Sequence, residues 1–427
     1  MGNARNAASL AMTAVMAASA GDAFAGGFQI GVQSGSATGN AVAGGAAVAE
    51  DASVIWSNPA GMMHLKQSRQ LTSALHVFKP SFKFQNTGST GAFAAGGTGE
   101  GGDGGDWAYV PNAFFTMPIN DRLRFGVAIN APFGLSTQYE QGWRGQLIAL
   151  KSKIQTVNLN PAIAYRVNDM LSVGAGVSAQ KIKAQLSSFS GVAALGNVDL
   201  DADDIGFGFN VGAIVQATPV TRFGASYRSK IKYSLDGRAN FTGPAGAAFS
   251  GDVTADLTVP EHASLSVFHE MGRWELMADV TWTGWDRLQQ LTIVRTTTSA
   301  GGAAGTTFTS LPFLWDDTWR FGVGANYRVS DRMKVRMGVA LDETPTNDAT
   351  RSPRLPDQDR TWVAVGLQYR MPGSGMWSSA RAGVLEIGYA HEFIKDATVN
   401  NALGASNLIG RFEAKANILS LQYSHPF

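Results

Sequence analysis

The stretch that decides the fold is Val157-Asn158-Leu159-Asn160-Pro161-Ala162-Ile163-Ala164-Tyr165-Arg166-Val167, followed by Asn168-Asp169 and a return through Leu171, Val173, Ala175 and Val177. Side chains alternate across an extended chain with period 2. Val157, Leu159, Ile163, Tyr165 and Val167 therefore share one face, while Asn158, Asn160, Ala162, Ala164 and Arg166 share the other. Asn and Asp suit a tight turn, so the alternation that resumes after Asn168-Asp169 makes this segment a hairpin with one apolar side.

The same pattern recurs along the chain. Asn120-Asp121, Pro219-Val220-Thr221, Met271-Gly272, Ser330-Asp331 and Pro372-Gly373-Ser374 each separate two alternating segments. Between these turns lie long polar or glycine-rich stretches near residues 85 to 106, 135 to 155, 186 to 205, 234 to 255, 287 to 314, 342 to 358 and 395 to 411. Six short turns and seven long loops predict fourteen strands, with turns on one side and loops on the other. That asymmetry, with an even strand number and an aromatic C-terminal strand carrying Leu419, Leu421, Tyr423 and Phe427 in alternate register, indicates a bacterial outer-membrane barrel. The expected fold class is all-β, a 14-stranded antiparallel transmembrane β-barrel that satisfies every backbone group without an edge. A large soluble β protein also alternates, but it rarely combines such unequal connections with an apolar face on nearly every strand.

The N-terminus agrees with export. Arg5, the apolar run from Ala7 to Ala20 and Ala23-Phe24-Ala25 read as a signal peptide over residues 1–25, so that the mature chain begins at Gly26. Elsewhere there is no uncharged apolar run of the roughly 18 residues that a spanning helix needs. The 50 glycines and 15 prolines are dispersed, as in one large β domain, and the absence of cysteine removes disulfides and thiolate metal sites. A net charge of +1 gives no field for nucleic acid.

Residues 26–68 do not alternate, and Gly26 to Ala49 is rich in Gly, Ala and Ser. Near its end, Ser57 or Asn58 can cap a short helix whose first turn accepts Pro59. A lumen of about fourteen strands is an open channel unless blocked, so this segment is expected to be a plug, with the barrel over 69–427.

Several ordered motifs now carry a resemblance: Gly27-Phe28-Gln29, Glu50-Asp51-Ala52 before Asn58-Pro59-Ala60, Val110-Pro111-Asn112, Pro118-Ile119-Asn120-Asp121, Asn158-Leu159-Asn160-Pro161, Ala164-Tyr165-Arg166-Val167-Asn168, Val259-Pro260-Glu261, and Pro356-Asp357-Gln358-Asp359-Arg360 before Trp362. Over essentially the whole mature chain the sequence resembles the FadL family of outer-membrane transporters for long-chain fatty acids and other hydrophobic compounds.

The resemblance implies an N-terminal hatch inside the barrel and a kinked third strand that opens the wall, letting apolar cargo leave sideways into the bilayer and bypass the lipopolysaccharide leaflet. Lateral exit keeps the cargo buried, at roughly 0.8 kcal/mol per methylene. The third strand is expected to run from Trp107 and Ala108 to the Asn120-Asp121 turn, broken by Pro111 or Pro118, with the fourth from Phe125 to Phe133. By resemblance, Ala108 and Ala131 flank the opening, Phe28 contacts ligand, and Asn58, with Pro59 and Ala60, couples the hatch to the third strand. The resemblance also implies a monomer and no cofactor.

Cargo recognition departs from the pattern. Fatty-acid members place basic groups near the carboxylate, whereas Trp315-Asp316-Asp317 is acidic and Ala184-Gln185-Leu186 lacks arginine. Lys181 or Lys183 is the remaining candidate, and uptake of alkanes or monoaromatic hydrocarbons stands as the alternative. No enzyme is expected: His64, His76, His262, His269, His391 and His425 form no HExxH pair, no GxSxG accompanies them, and no metal site is anticipated. The glycine-rich run Gly96–Asp106 lacks the lysine of a phosphate-binding loop and the ligand spacing of a calcium loop. A general diffusion porin would need an open lumen, which the hatch segment opposes.

Overall fold

The computed structural model describes residues 26–66, 69–372 and 383–427. The signal segment, Gly373 and Ser374 of the last short turn, and the end of the anticipated hatch boundary at residue 68 lie outside the described residues.

The strands form a closed antiparallel barrel. In chain order they are β1 Gln70–Asn86, β2 Ala108–Asn120, β3 in two pieces Leu123–Asn130 and Gly134–Gln138, β4 Lys151–Arg166, β5 Leu171–Phe189 and β6 Asn197–Thr218. Next come four more two-piece strands, β7 Thr221–Arg228 and Ile231–Phe241, β8 Gly251–Val259 and His262–Met271, β9 Trp274–Thr283 and Gln290–Arg295, and β10 Thr307–Pro312 and Thr318–Arg328. The wall ends with β11 Met333–Asp342, β12 Arg360–Arg370, β13 Val384–Ile394 with Ala397–Leu403, and β14 Ser406–Pro426. Closure is by β1 on β14, in unbroken register from Gln70↔Pro426 to Asn86↔Gly410.

The two faces divide as the hairpin anticipates. On β4, Ile163 and Tyr165 are exposed, while Asn158, Asn160 and Ala164 are 0 % exposed. The outer face bears Phe207, Phe223, Leu265, Phe321, Val323 and Val365, all exposed, as a lipid-facing band requires. Among the described residues no helix is long and apolar enough to cross a membrane.

Two expectations change. The strand from Ala108 to Asn120 is the second, not the third, and the strand from Leu123 is the third. The loops expected at 186–205, 234–255 and 395–411 are largely strand, since β5 runs to Phe189, β6 starts at Asn197, β7 reaches Phe241, β8 starts at Gly251, β13 reaches Leu403 and β14 starts at Ser406. These upper ends carry outward Lys181, Asp201, Asp203 and Arg238 in place of apolar residues, so the period-2 signal fades although the ladder continues.

Residues 26–66 fill the lumen. Extended chain from Gly26 leads to helix α1 (Gly35–Gly39), then α2 (Val54–Ser57) and a 3-10 turn at Pro59–His64. The wall accommodates them with inward glycines: a Cβ on Gly224 would lie 1.9 Å from Ala46 O, and one on Gly338 2.1 Å from Asn40 O.

Candidate functional site: the hatch and an unsealed seam

The break in β3 spans Ala131-Pro132-Phe133. Proline lacks the donor a ladder needs, and a strand containing one bends at that point. The upper piece of β3 still pairs with β4, from Gly134↔Gln155 to Gln138↔Lys151. On the other side, the β2–β3 ladder stops at Ala113↔Ile129, and no higher β2–β3 backbone pair forms among the described residues. The wall thus has a seam between the first residues of β2 and the break of β3.

The hatch closes this seam from inside. Ile30 N–H donates to Pro132 O at 2.7 Å, Gly134 N–H donates to Phe28 O at 2.9 Å, and Gln29 faces Phe133 as an antiparallel bridge. Gln33 is the keystone. Its Nε2 donates to Ala131 O at 3.1 Å, its backbone O accepts from Asn112 Nδ2 at 3.0 Å, and its Oε1 accepts from Asn130 Nδ2 at 2.8 Å. Asn158 Nδ2 donates in turn to Asn130 Oδ1. One hatch residue therefore joins β2 to β3 where their own ladder has ended. Beside it, Ile30, Val32, Ala108, Val110 and Ala131 pack in one buried cluster, with Ala108 0 % and Ala131 4 % exposed.

Above the seam lies an aromatic box around Phe28. Its ring centroid is 5.8 Å from Phe133, 5.0 Å from Trp285 and 5.9 Å from Trp315. Trp285 and Trp315 occupy the interruptions of β9 and β10, so broken strands on opposite walls converge on this residue. The box continues into an apolar lining through Leu135, Tyr139, Leu150, Ile182, Leu257 and Phe412 towards the loop end of the barrel. A neighbouring cavity of about 150 Å³, bordered by Gln29, Trp56, His262 and Trp285, runs between hatch and wall.

The opposite side of the hatch is held by charge. Glu50 binds Lys334 at 2.7 Å and Arg336 at 2.6 Å, and Arg336 also binds Glu386 at 2.5 Å. Burial alone would raise the Glu50 carboxyl, but Arg336 and Lys334 hold it well below the usual carboxylate range. Gln422 Nε2 joins Asp51 to Glu386, and Arg320 pairs with Asp279 while donating to Ala41 O. The start of the hatch is gripped by Asp357, whose Oδ2 accepts from Gly27 N–H at 2.9 Å, and by Asp342, which accepts from Gly26 N–H. At its far end, burial, with Arg222 and Arg166 nearby, pushes the His64 imidazole down to about 4.

The anticipated residues fall into three groups. Phe28, Ala108 and Ala131 lie at the seam and its box. Asn58, 0 % exposed, caps the 3-10 turn by accepting from Ala60 N–H, with Pro59 in the first position. Its Nδ2 donates to Ala46 O, Ala213 O and Ala225 O. Asn58 therefore ties the hatch to β6 and β7 and not to the strand Ala108–Asn120, here β2, to which the resemblance coupled it; the hydrogen bond from the hatch to β2 is made by Gln33 with Asn112. Lys181 and Lys183 stand on the outer face of β5, exposed and paired with Asp203 and Asp201, while Ile182 between them is 0 % exposed and points inward. Neither lysine reaches the lumen, because period 2 places both on the same outward side. Gln33 and Asn130 gave no motif; Asn112, after Pro111, was visible only as part of one.

The family model "Outer membrane protein transport protein (OMPP1/FadL/TodX)" matches residues 16–427. Outer membrane protein P1 of Haemophilus influenzae is 30% identical over 85% of this chain and 86% of its own length. The long-chain fatty acid transport protein of Escherichia coli K12 is 27% identical over 81% and 85%. Among solved structures, a Pseudomonas aeruginosa FadL homologue superposes with a TM-score of 0.83 at 27% identity, covering 94% of this chain and 100% of that one. The Ralstonia pickettii toluene transporter TbuX shares the fold, with a TM-score of 0.65 at 21% identity over 90% and 96%. With a lipid-facing barrel, a filled lumen and this match over nearly its whole length, the chain belongs to the OMPP1/FadL/TodX family of bacterial outer-membrane transport proteins and is not an enzyme.

Proposed function

We propose that this protein takes up long-chain fatty acids, which enter the apolar lining from the loop side, displace Phe28 and the extended segment behind it, and leave sideways through the β2–β3 seam into the bilayer. The observation that carries this reading is the end of the β2–β3 ladder at Ala113↔Ile129, with hatch residues supplying the bonds that close the wall. Neutral amide bonds and apolar contacts can be exchanged for contacts with an apolar ligand at little net cost, because each net hydrogen bond is worth only about 1 kcal/mol. A substrate that left towards the periplasm would have to shed its apolar contacts into water.

A second reading, uptake of monoaromatic hydrocarbons, is favoured by the uncharged box of Phe28, Phe133, Trp285 and Trp315, whose tilted rings fit an aromatic guest. Uptake of radiolabelled oleate and of toluene by cells lacking their own transporter separates the two. Oleate uptake that disappears with Ala131→Arg supports lateral release of a fatty acid; toluene uptake alone supports the hydrocarbon channel. If Ala108→Arg and Ala131→Arg both transport as well as the unaltered protein, the seam is not the exit.

A further inference from the structure

We infer that Arg354 is the clamp for the carboxylate of a bound fatty acid, holding the headgroup at the loop end of the apolar lining while the tail descends towards the break in β3. The inference rests on the fatty-acid reading above and supplies the basic partner that Lys181 and Lys183 do not provide.

Arg354 lies in the connection between β11 and β12, which folds across to the walls of β3, β4 and β5. Thr137 Oγ1 donates to Arg354 O at 3.0 Å, Tyr139 Oη donates to Pro353 O at 2.8 Å, and Leu355 is buried in the apolar lining. The guanidinium meets only neutral oxygens: Nη1 donates to Ser152 Oγ at 3.0 Å, Lys151 O at 3.2 Å and Ser187 O at 3.4 Å. Nε is buried without a partner. No carboxylate of the described residues forms an ion pair with it, and burial pushes the group down to about 10, still cationic at neutral pH.

Its neighbours differ. Arg351 pairs with Asp348, Arg360 with Asp357 and Glu392, and Arg336 with Glu50 and Glu386. Arg228 also lacks an acid, but both its terminal nitrogens are bonded, to Ser178, Asn160 and Trp56 O, and it stacks 3.8 Å over the Trp56 ring, which makes it a hatch anchor. A partly buried cation whose partners are all neutral gains from the arrival of an anion. A carboxylate is the complement that a guanidinium binds best.

The spacing suits an acyl chain. Ser152, beside the guanidinium, pairs with Thr137, and Thr156 accepts from Phe133 N–H at the strand break. Four residues of strand separate the two levels, about 14 Å at the usual rise. Leu135 and Ile154 lie between them in the same apolar cluster that ends on Phe133 and Phe28. A carboxylate at Arg354 therefore leads its tail along this track to the hatch segment it must move.

The test is equilibrium binding of oleate, methyl oleate and toluene to the purified full-length protein, compared with Arg354→Gln and Arg354→Lys. The expected result is that Arg354→Gln weakens oleate roughly tenfold or more, down to the level of the methyl ester, while methyl oleate and toluene bind as before and Arg354→Lys retains most of the oleate affinity. Unchanged oleate binding by Arg354→Gln overturns the clamp and leaves the fatty-acid reading standing, as does an equal loss of all three ligands, which would mark Arg354 as a structural loop anchor. Wild-type protein that binds toluene but no oleate overturns the fatty-acid reading and the clamp together.

Discussion

The two sides of the hatch are attached by different chemistry. Facing β11, β13 and β14, Glu50, Lys334, Arg336, Glu386 and Gln422 form a buried network of charges and charge-assisted bonds. Facing β2 and β3, Gln33 meets Asn112, Asn130 and Ala131 through neutral amides, and Ile30 meets Ala108 and Ala131 through apolar contact. Breaking a buried ion pair strands a charge, whereas parting two amides releases groups that water or a ligand can satisfy. The charged side fixes the hatch body, and the neutral side is the one suited to move.

The sharpest way to break this contrast is Arg336→Ala. It leaves Glu386 without its ion-pair partner and Glu50 with Lys334 alone, an expected cost of about 3–5 kcal/mol in hatch seating. Planar-bilayer conductance should rise from near closed to a sustained open level; a silent variant would mean that the network does not hold the hatch. Next in size, Ala131→Arg places a cation in the buried seam and should abolish oleate uptake while heat-modifiable mobility on gels shows a folded barrel. Gln33→Ala should cost about 1–3 kcal/mol and act only locally, with faster hydrogen exchange at Ile30 and Gly134 and no steady conductance. Equal loss of protection across residues 41 to 64 would show that seam and body open as one unit.

Asn58→Ala is expected to be milder at the seam than Gln33→Ala, removing a cap worth about 1 kcal/mol together with the ties to β6 and β7. Its exchange should increase at Ala60 and Gly61, with Ile30 unchanged. The smallest effect is that of pH. Glu50 is depressed, so its contribution is present above the ordinary carboxylate range and is lost only as pH falls through its much lower folded value. His64 is a base depressed to about 4, so the hatch end is favoured above its ordinary value of 6.5 and weakens as pH falls from there towards 4. Exchange at Met63 should accordingly rise across that window while residues around Glu50 stay protected.

The barrel was legible in the chain because alternation, turns and a lipid-facing band are all local or periodic. Where strands rise beyond the lipid the outer face turns polar, and β5, β6 and β7 were read too short for that reason. The seam was half legible. Pro111 and Pro118 mark β2, whose pairing with β3 is irregular between Pro118 and Asn120 and ends at Ala113, short of Pro111, while the break in the strand itself lies in β3, at Pro132, and β2 remains paired with β1 from Ala108 onward. Gln33 was invisible, since one glutamine in a small-residue segment acquires its role only when Asn112 and Asn130 arrive from two other strands. Asn58 was recognised as a cap from its own neighbourhood, but its partners on β6 and β7 are set by how the hatch lies in the lumen.

The inward glycines make the wall a mould of its contents. At Gly224 and Gly338 the backbone is bare because hatch carbonyls occupy the space a side chain would need. A barrel deprived of residues 26 to 66 would have nothing to collapse inward at these positions, and Arg336 and Glu386 would face water. It would be a wide, wet tunnel, so the closure of the passage to water belongs to the filling and not to the tube.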